Sequence, residues 1–144
     1  EHIAWYQRVR EGRTNSLHFI FSYEGKLLGQ VNVSQIDNTN QHCYWGFFIG
    51  DETAPSGSGM AMGFMAMQQI FEELKMHKLC SEALAFNTGS IKYHKRLGFV
   101  EEGYFKEHVR KNGKLEDIVC LAYFAEFWYQ QKDTLFKHCF EVNH

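Results

Sequence analysis

The sequence predicts a mixed α/β domain, α+β in its segregation of elements, and three observations predict it. Three segments with two-residue alternation come before any strong helical spacing. One segment in the middle repeats its apolar residues at steps of three and four. Near the carboxy end, Asn112-Gly113 separates two strand-like segments, the strongest short signal for a hairpin.

Taken in order, residues 1–10 read as a short amphipathic helix with Ile3, Trp5, Tyr6 and Val9 as its apolar members. Residues 17–23 alternate Leu17, Phe19, Phe21 and Tyr23 against His18, Ile20 and Ser22, the period of a strand. Glu24-Gly25 makes a tight turn, and 27–36 is a second strand. The turn-rich Asp37-Asn-Thr-Asn-Gln41 leads into a third, unusually aromatic strand at 42–49, which closes an antiparallel meander. Met60, Phe64, Met67, Phe71 and Leu74 then mark one face of the central helix. Residues 79–86 form a fourth strand. Because a helix joins it to the third, the two are expected to be parallel neighbours. A short helix at 88–96 stops at Gly98. The hairpin strands are 99–109 and 115–124, and 125–140 is a final aromatic helix.

Nothing divides these 144 residues, so a single domain over 1–144 is expected. Hydrophobic residues make up 44% of the chain, enough for a full core. The net charge of −2, with both signs interspersed, lacks the basic excess that nucleic acid binding leaves. No apolar run reaches the roughly 18 residues of a spanning helix, so no membrane is expected and the expected location is the cytoplasm. Cys43, Cys80, Cys120 and Cys139 form no CxxC pair and read as free thiols of a reducing compartment. The eight histidines show no zinc-like spacing, so no metal is expected. The methionines at 60, 62, 65 and 67 read as core rather than as a cofactor box.

Two constellations could carry chemistry. The first is Ala54-Pro-Ser-Gly57-Ser-Gly59-Met60-Ala61, ahead of the central helix. Glycines let several amides converge, and a helix start adds partial positive charge, so a phosphate or diphosphate fits there. A plain strand-to-helix loop with a serine cap fits the same residues. No Lys-Ser or Lys-Thr follows the glycines, so this is not a P-loop. Three antiparallel strands precede it, which argues against a dinucleotide fold.

The second is Asn87-Thr-Gly-Ser90-Ile-Lys-Tyr93-His94-Lys95-Arg-Leu-Gly98-Phe99. Asn87 stands where a strand gives way to a helix, the edge at which α/β sheets bind ligands. Ser90 and His94 are four apart and share a helical face. A histidine there could move a proton near neutral pH. An ordinary solvated helix with an asparagine cap explains the segment too.

Together, the Gly-x-Gly turn opening the central helix, the strand after it, Asn…Ser…Gly-Phe and the closing hairpin resemble the GNAT superfamily of N-acetyltransferases. The resemblance covers about residues 1–128 and departs in two ways: Ala54 stands where the diphosphate motif has Gln or Arg, and the family's first strand and helix are missing at the amino end. The implied fold is a GNAT-like mixed central sheet, with a parallel splayed pair around the central helix. The implied activity is acyl transfer from acetyl-CoA to a primary amine, without a covalent enzyme intermediate. By this resemblance, backbone groups of Phe48 and Ile49 hold the pantetheine arm. Amides of Gly57, Ser58, Gly59, Met60 and Ala61 hold the diphosphate, with Lys95 near it, and Asn87 and Ser90 fix the thiol end. His94 occupies the place where many members carry the tyrosine that protonates the thiolate, and so becomes the expected general acid. Glu82 is the first candidate for the base and His42 the second. Tyr44, Trp45 and Phe47 could wall a sugar or base ring, with core packing as the alternative for at least one of them.

Ser90 through Phe99, followed by Glu102-Gly103, His108 and Asp117, is similar to the acetyltransferases of pseudaminic acid biosynthesis, as are residues 1–6 and 44–49. That similarity implies a UDP-linked 4-amino-4,6-dideoxy sugar as acceptor. Enzymes that acetylate ribosomal-protein N-termini share the outline, which leaves a protein N-terminus or a small amine open. A non-catalytic acyl-CoA-binding module is a further alternative, and Phe127-Trp128-Tyr129 could cap the core or join a homodimer interface.

Overall fold

The computed structural model describes residues 5–10, 16–49 and 57–140. Seven strands form one mixed sheet in the order β1-β2-β3-β4-β5-β7-β6. The first four are β1 (Trp5–Arg10), β2 (Leu17–Tyr23), β3 (Lys26–Asp37) and β4 (His42–Ile49), an antiparallel meander. Helix α1 (Ser58–Gln68) continues into a π turn (Gln69–Glu73) and leads to β5 (Lys78–Leu84), which lies parallel to β4. Helix α2 (Thr88–Leu97), the hairpin β6 (Val100–Lys111) and β7 (Lys114–Phe124), and α3 (Ala125–Phe140) complete the fold.

The expected elements form close to their predicted bounds, with one correction. Trp5–Arg10 is a strand rather than part of a helix, with Trp5 opposite Ser22 and Arg10 opposite Leu17. Six residues gain little from one helical turn, whereas the edge of β2 offers a full row of unpaired backbone groups. Residues 1–4 of that expected helix lie outside the described residues.

Alternation in β2 buries Leu17, Phe19 and Phe21 completely. Above the sheet, α1 is enclosed more fully than its apolar stripe suggested: every residue from Met60 to Met67 is buried, including all four methionines of that run. The reason is α3. Its Trp128 is fully buried and packs against Phe64, with ring centroids 5.0 Å apart, and Phe71, at 5.8 Å. Burying a side chain of this size stabilises by about 3 kcal/mol. The indole N–H of Trp128 donates to Glu72, which also takes the Lys132 ammonium at 2.9 Å.

One irregularity positions everything that follows. Strands β4 and β5 pair over only three positions, His42 with Lys78, Cys43 with Leu79 and Tyr44 with Cys80. Beyond Tyr44, β4 stays with β3 as far as Ile49, while β5 stays with β7 as far as Leu84. The two halves of the sheet therefore diverge, and among the described residues one edge of β4 runs on without a strand to pair with.

Candidate functional site

The divergence opens a cavity of about 340 Å³. Trp45, Gly46 and Phe47 of β4 form one wall, and Ser81 and Glu82 of β5 the other. Asn87, Ser90, Tyr93 and His94, from the start of α2, close it. In an antiparallel strand, alternate N–H and C=O groups point away from the partner, so β4 beyond Tyr44 turns part of its backbone hydrogen-bonding capacity into the gap.

Two helices begin beside this gap. Gly57 caps α1 in the left-handed conformation (φ 88°), which glycine adopts without strain, and no side chain caps the helix. Ala61 makes the first helical bond, its amide donating to the Gly57 carbonyl at 3.1 Å. The amides of Gly59 and Met60, ahead of it, have no intrahelical acceptor among the described residues. Of the residues expected over 57–61, Ala61 has its amide engaged inside the helix. The alternative reading of this segment as a loop with a serine cap does not hold, since Gly57 is the cap and Ser58 the first helical residue. Ala54 and the rest of 50–56 lie outside the described residues.

Asn87 caps α2, its side-chain oxygen accepting from the Ser90 amide at 3.1 Å. Tyr93 lines the cavity with its ring and donates its hydroxyl to the Gly59 carbonyl at 2.6 Å. Burial raises the Tyr93 phenol well above its ordinary value, so it holds its proton.

His94 is not the solvated residue that a surface helix would give. Its side chain is buried: Nδ1 donates to the Ser90 carbonyl at 2.8 Å, and Nε2 faces the Ser81 hydroxyl at 2.9 Å and the Trp45 indole N–H at 3.0 Å. Burial lowers the His94 pKa, opposed by the bond to Ser90. Both ring nitrogens of His94, expected to act as general acid directly or through water, are engaged within the protein.

The expected aromatic wall divides. Trp45 is 5% exposed and packs on Phe47 (4.6 Å) and Phe99 (5.5 Å), so it is largely core. Phe47 lines the cavity. Tyr44, one residue away in a strand, points to the other face and lines a second recess of about 220 Å³ with Cys80, Glu102, Phe105 and Cys120. Glu82 is exposed and borders both spaces. His42 lies at the paired end of β4, three residues before the gap, with Nε2 3.9 Å from Asp37. Lys95 bridges to Glu101 at 2.7 Å and does not line the cavity. Phe48 is 57% exposed on the free part of β4, and Ile49 pairs with Gly29 through its backbone.

Ser81 was missed by the sequence reading. Its only signal is a small hydroxyl inside the otherwise apolar Leu79-Cys80-Ser81. Burial pushes the Cys43 thiol up to about 12. Among the described residues no group of three His, Cys, Asp or Glu side chains could hold a metal, and no helix is long and apolar enough to cross a membrane.

Comparison with known proteins bears on this geometry. A family model described as the acetyltransferase (GNAT) domain matches residues 1–120. YdaF of Bacillus subtilis, whose name assigns it provisionally to ribosomal N-acetylation, is 27% identical over 110 residues, 76% of this chain. The chain spans 60% of the length of that relative. The [ribosomal protein uS5]-alanine N-acetyltransferase of Escherichia coli is 26% identical over 131 residues, covering 84% of this chain and 68% of the enzyme. Among solved structures, the spermidine N-acetyltransferase SpeG from Vibrio cholerae superposes with a TM-score of 0.77 at 20% identity. It covers 81% of this chain and 70% of its own, a likeness of fold alone.

Proposed function

The chain belongs to the GNAT acetyltransferase family, and from that premise we propose that it transfers the acetyl group of acetyl-CoA to a primary amine. The observation that carries this reading is the divergence of β4 and β5 after Tyr44 and Cys80. An extended amide-bearing arm fits the open edge of β4 as an extra strand, beside Phe48 and Ile49. A diphosphate fits the first turn of α1 at Gly57, Ser58, Gly59 and Met60, where the helix start favours negative charge. Asn87 and Ser90 then stand at the thiol end. The bound thioester supplies an activated acyl group. The protein holds it against the amine, and positioning of that kind is worth roughly 7–11 kcal/mol.

An amine that arrives as an ammonium must lose one proton before it can attack. Glu82, exposed and bordering both recesses, is placed to take that proton and pass it to solvent. A backbone N–H on the free edge of β4 near Phe48 meets the oxyanion that develops on the acetyl carbonyl.

For the acceptor, the residues from Ser90 to Phe99 with Glu102, Gly103, His108 and Asp117 support a UDP-linked 4-amino-4,6-dideoxy sugar. A second reading, acetylation of an alanine-type protein N-terminus, is supported by the uS5-alanine acetyltransferase among the relatives. Incubating the protein with acetyl-CoA and each of three acceptors decides between them: the UDP-amino sugar, an alanine-initiated peptide and spermidine, with thiol release as the readout. Fastest turnover with the sugar is expected. Fastest turnover with the peptide moves the assignment to the second reading, and no thiol with any amine contradicts acetyl transfer.

A further inference from the structure

Only two polar side chains are buried among the described residues, Ser81 at 3% and His94 at 4% exposure, and they are bonded to each other. A buried polar pair gives less stability than apolar side chains of the same shape, so its presence asks for a reason beyond packing. Its location suggests one. Ser81 directly follows Cys80, the last β5 residue paired with β4, and so stands at the point where the strands part. Both residues line the cavity where the acyl group would lie.

The hydrogen bonds set the direction of the pair. The Ser90 carbonyl can only accept, so the His94 ring carries its proton on Nδ1 and presents a lone pair at Nε2. That lone pair is shared: the Trp45 indole N–H donates to it at 3.0 Å and the Ser81 hydroxyl at 2.9 Å, which leaves the Oγ lone pairs of Ser81 for the cavity. Burial keeps the imidazole neutral near pH 7, able to accept a proton. The groups that face the ring are Trp45 and Phe47 from β4, Ser81 from β5, Tyr93 and the Ser90 carbonyl from α2, and Phe99. Among the described residues, Glu82 is the one carboxylate that lines the same cavity.

After a neutral amine has attacked the thioester, its nitrogen holds one proton too many and the departing sulfur lacks one. We propose that Ser81, backed by His94, carries that proton from the nitrogen to the sulfur. The N–H proton moves to Ser81 Oγ as the Oγ–H proton moves to His94 Nε2. As the C–S bond breaks, Nε2 returns its proton to Oγ and Oγ protonates the thiolate. An amide and a thiol result, and both side chains end as they began. Ser81 touches the reacting atoms, while His94 acts only through it as a positioning residue and proton store. This inference rests on the acetyl-transfer reading.

The test compares wild type, Ser81→Ala, Ser81→Thr and His94→Gln, using acetyl-CoA and the fastest acceptor of the screen. The relay predicts a kcat about 100-fold lower in Ser81→Ala, the scale of lost acid–base assistance, with acetyl-CoA Kd unchanged within twofold. It also predicts that the fall of wild-type kcat at acid pH loses its His94 component in Ser81→Ala and in His94→Gln, leaving only the part set by deprotonation of the amine through Glu82, and that Ser81→Thr restores activity. Nitrogen NMR of the wild-type ring should show Nε2 unprotonated at pH 7.5 and shifted in Ser81→Ala. If Ser81→Ala keeps wild-type kcat, or loses binding and turnover together, the relay is overturned and acetyl transfer stands. A wild type that binds acetyl-CoA yet acetylates no amine overturns the acetyl-transfer reading and the relay with it.

Discussion

The hydroxyl of Tyr93 donates to the carbonyl of Gly59 across 2.6 Å and ties the second turn of α2 to the first turn of α1. The two helix starts beside the gap therefore hold a fixed distance. Tyr93→Phe removes this tie and little else. It is expected to lower stability by about 1 kcal/mol, the worth of one such bond. Acetyl-CoA affinity should fall several-fold with kcat unchanged. Thermal unfolding and titration calorimetry check the two parts.

Gly63 is what lets that tie form. A Cβ at this position would stand 2.5 Å from the Tyr93 oxygen and 3.1 Å from Leu97. Gly63→Ala is expected to cost about 1–3 kcal/mol through overpacking, although alanine is the better helix former. Denaturant unfolding measures it, and a stability equal to wild type would contradict this packing.

His94 makes stability depend on pH. Its folded pKa lies below its unfolded value, so the unfolded chain binds the proton first as pH falls. Stability is complete above the ordinary histidine value of about 6.5 and declines below it until the folded value is passed. The melting temperature of wild type should therefore drop more between pH 7.5 and 5 than that of His94→Gln.

Asn87→Ala removes the oxygen that accepts from the Ser90 amide. Loss of the cap is expected to cost about 1 kcal/mol. Because Asn87 also lines the cavity, acetyl-CoA binding should weaken beyond what Tyr93→Phe causes. Calorimetry on both variants gives the comparison.

The alternating strands, the Asn112-Gly113 turn and the Gly98 stop were legible because each is a local signal, set by side-chain period or by backbone conformation. Gly98 does end α2 in the left-handed region, at φ 114°. The parallel pairing of β4 and β5 was legible from the connecting helix. What failed were properties that belong to distant partners. The six residues of β1 follow the open edge of β2 rather than their own helical tendency. His94 looked solvated because Lys92, Lys95 and Arg96 surround it in sequence, yet its position on α2 turns it inward onto Trp45 and Ser81. Tyr44 and Trp45, adjacent in sequence, serve opposite faces because a strand alternates. Ser81 gave no motif at all, since its meaning lies in standing at the point where two strands separate.

Amide hydrogen exchange along β4, with and without acetyl-CoA, tests the proposed seat of the thioester arm most directly. Bound acetyl-CoA should slow exchange of amides within 45–49 that face the gap and in the first turn of α1 at Gly59 and Met60, while β2 is unaffected. Unchanged exchange at both places under saturating acetyl-CoA would contradict the account.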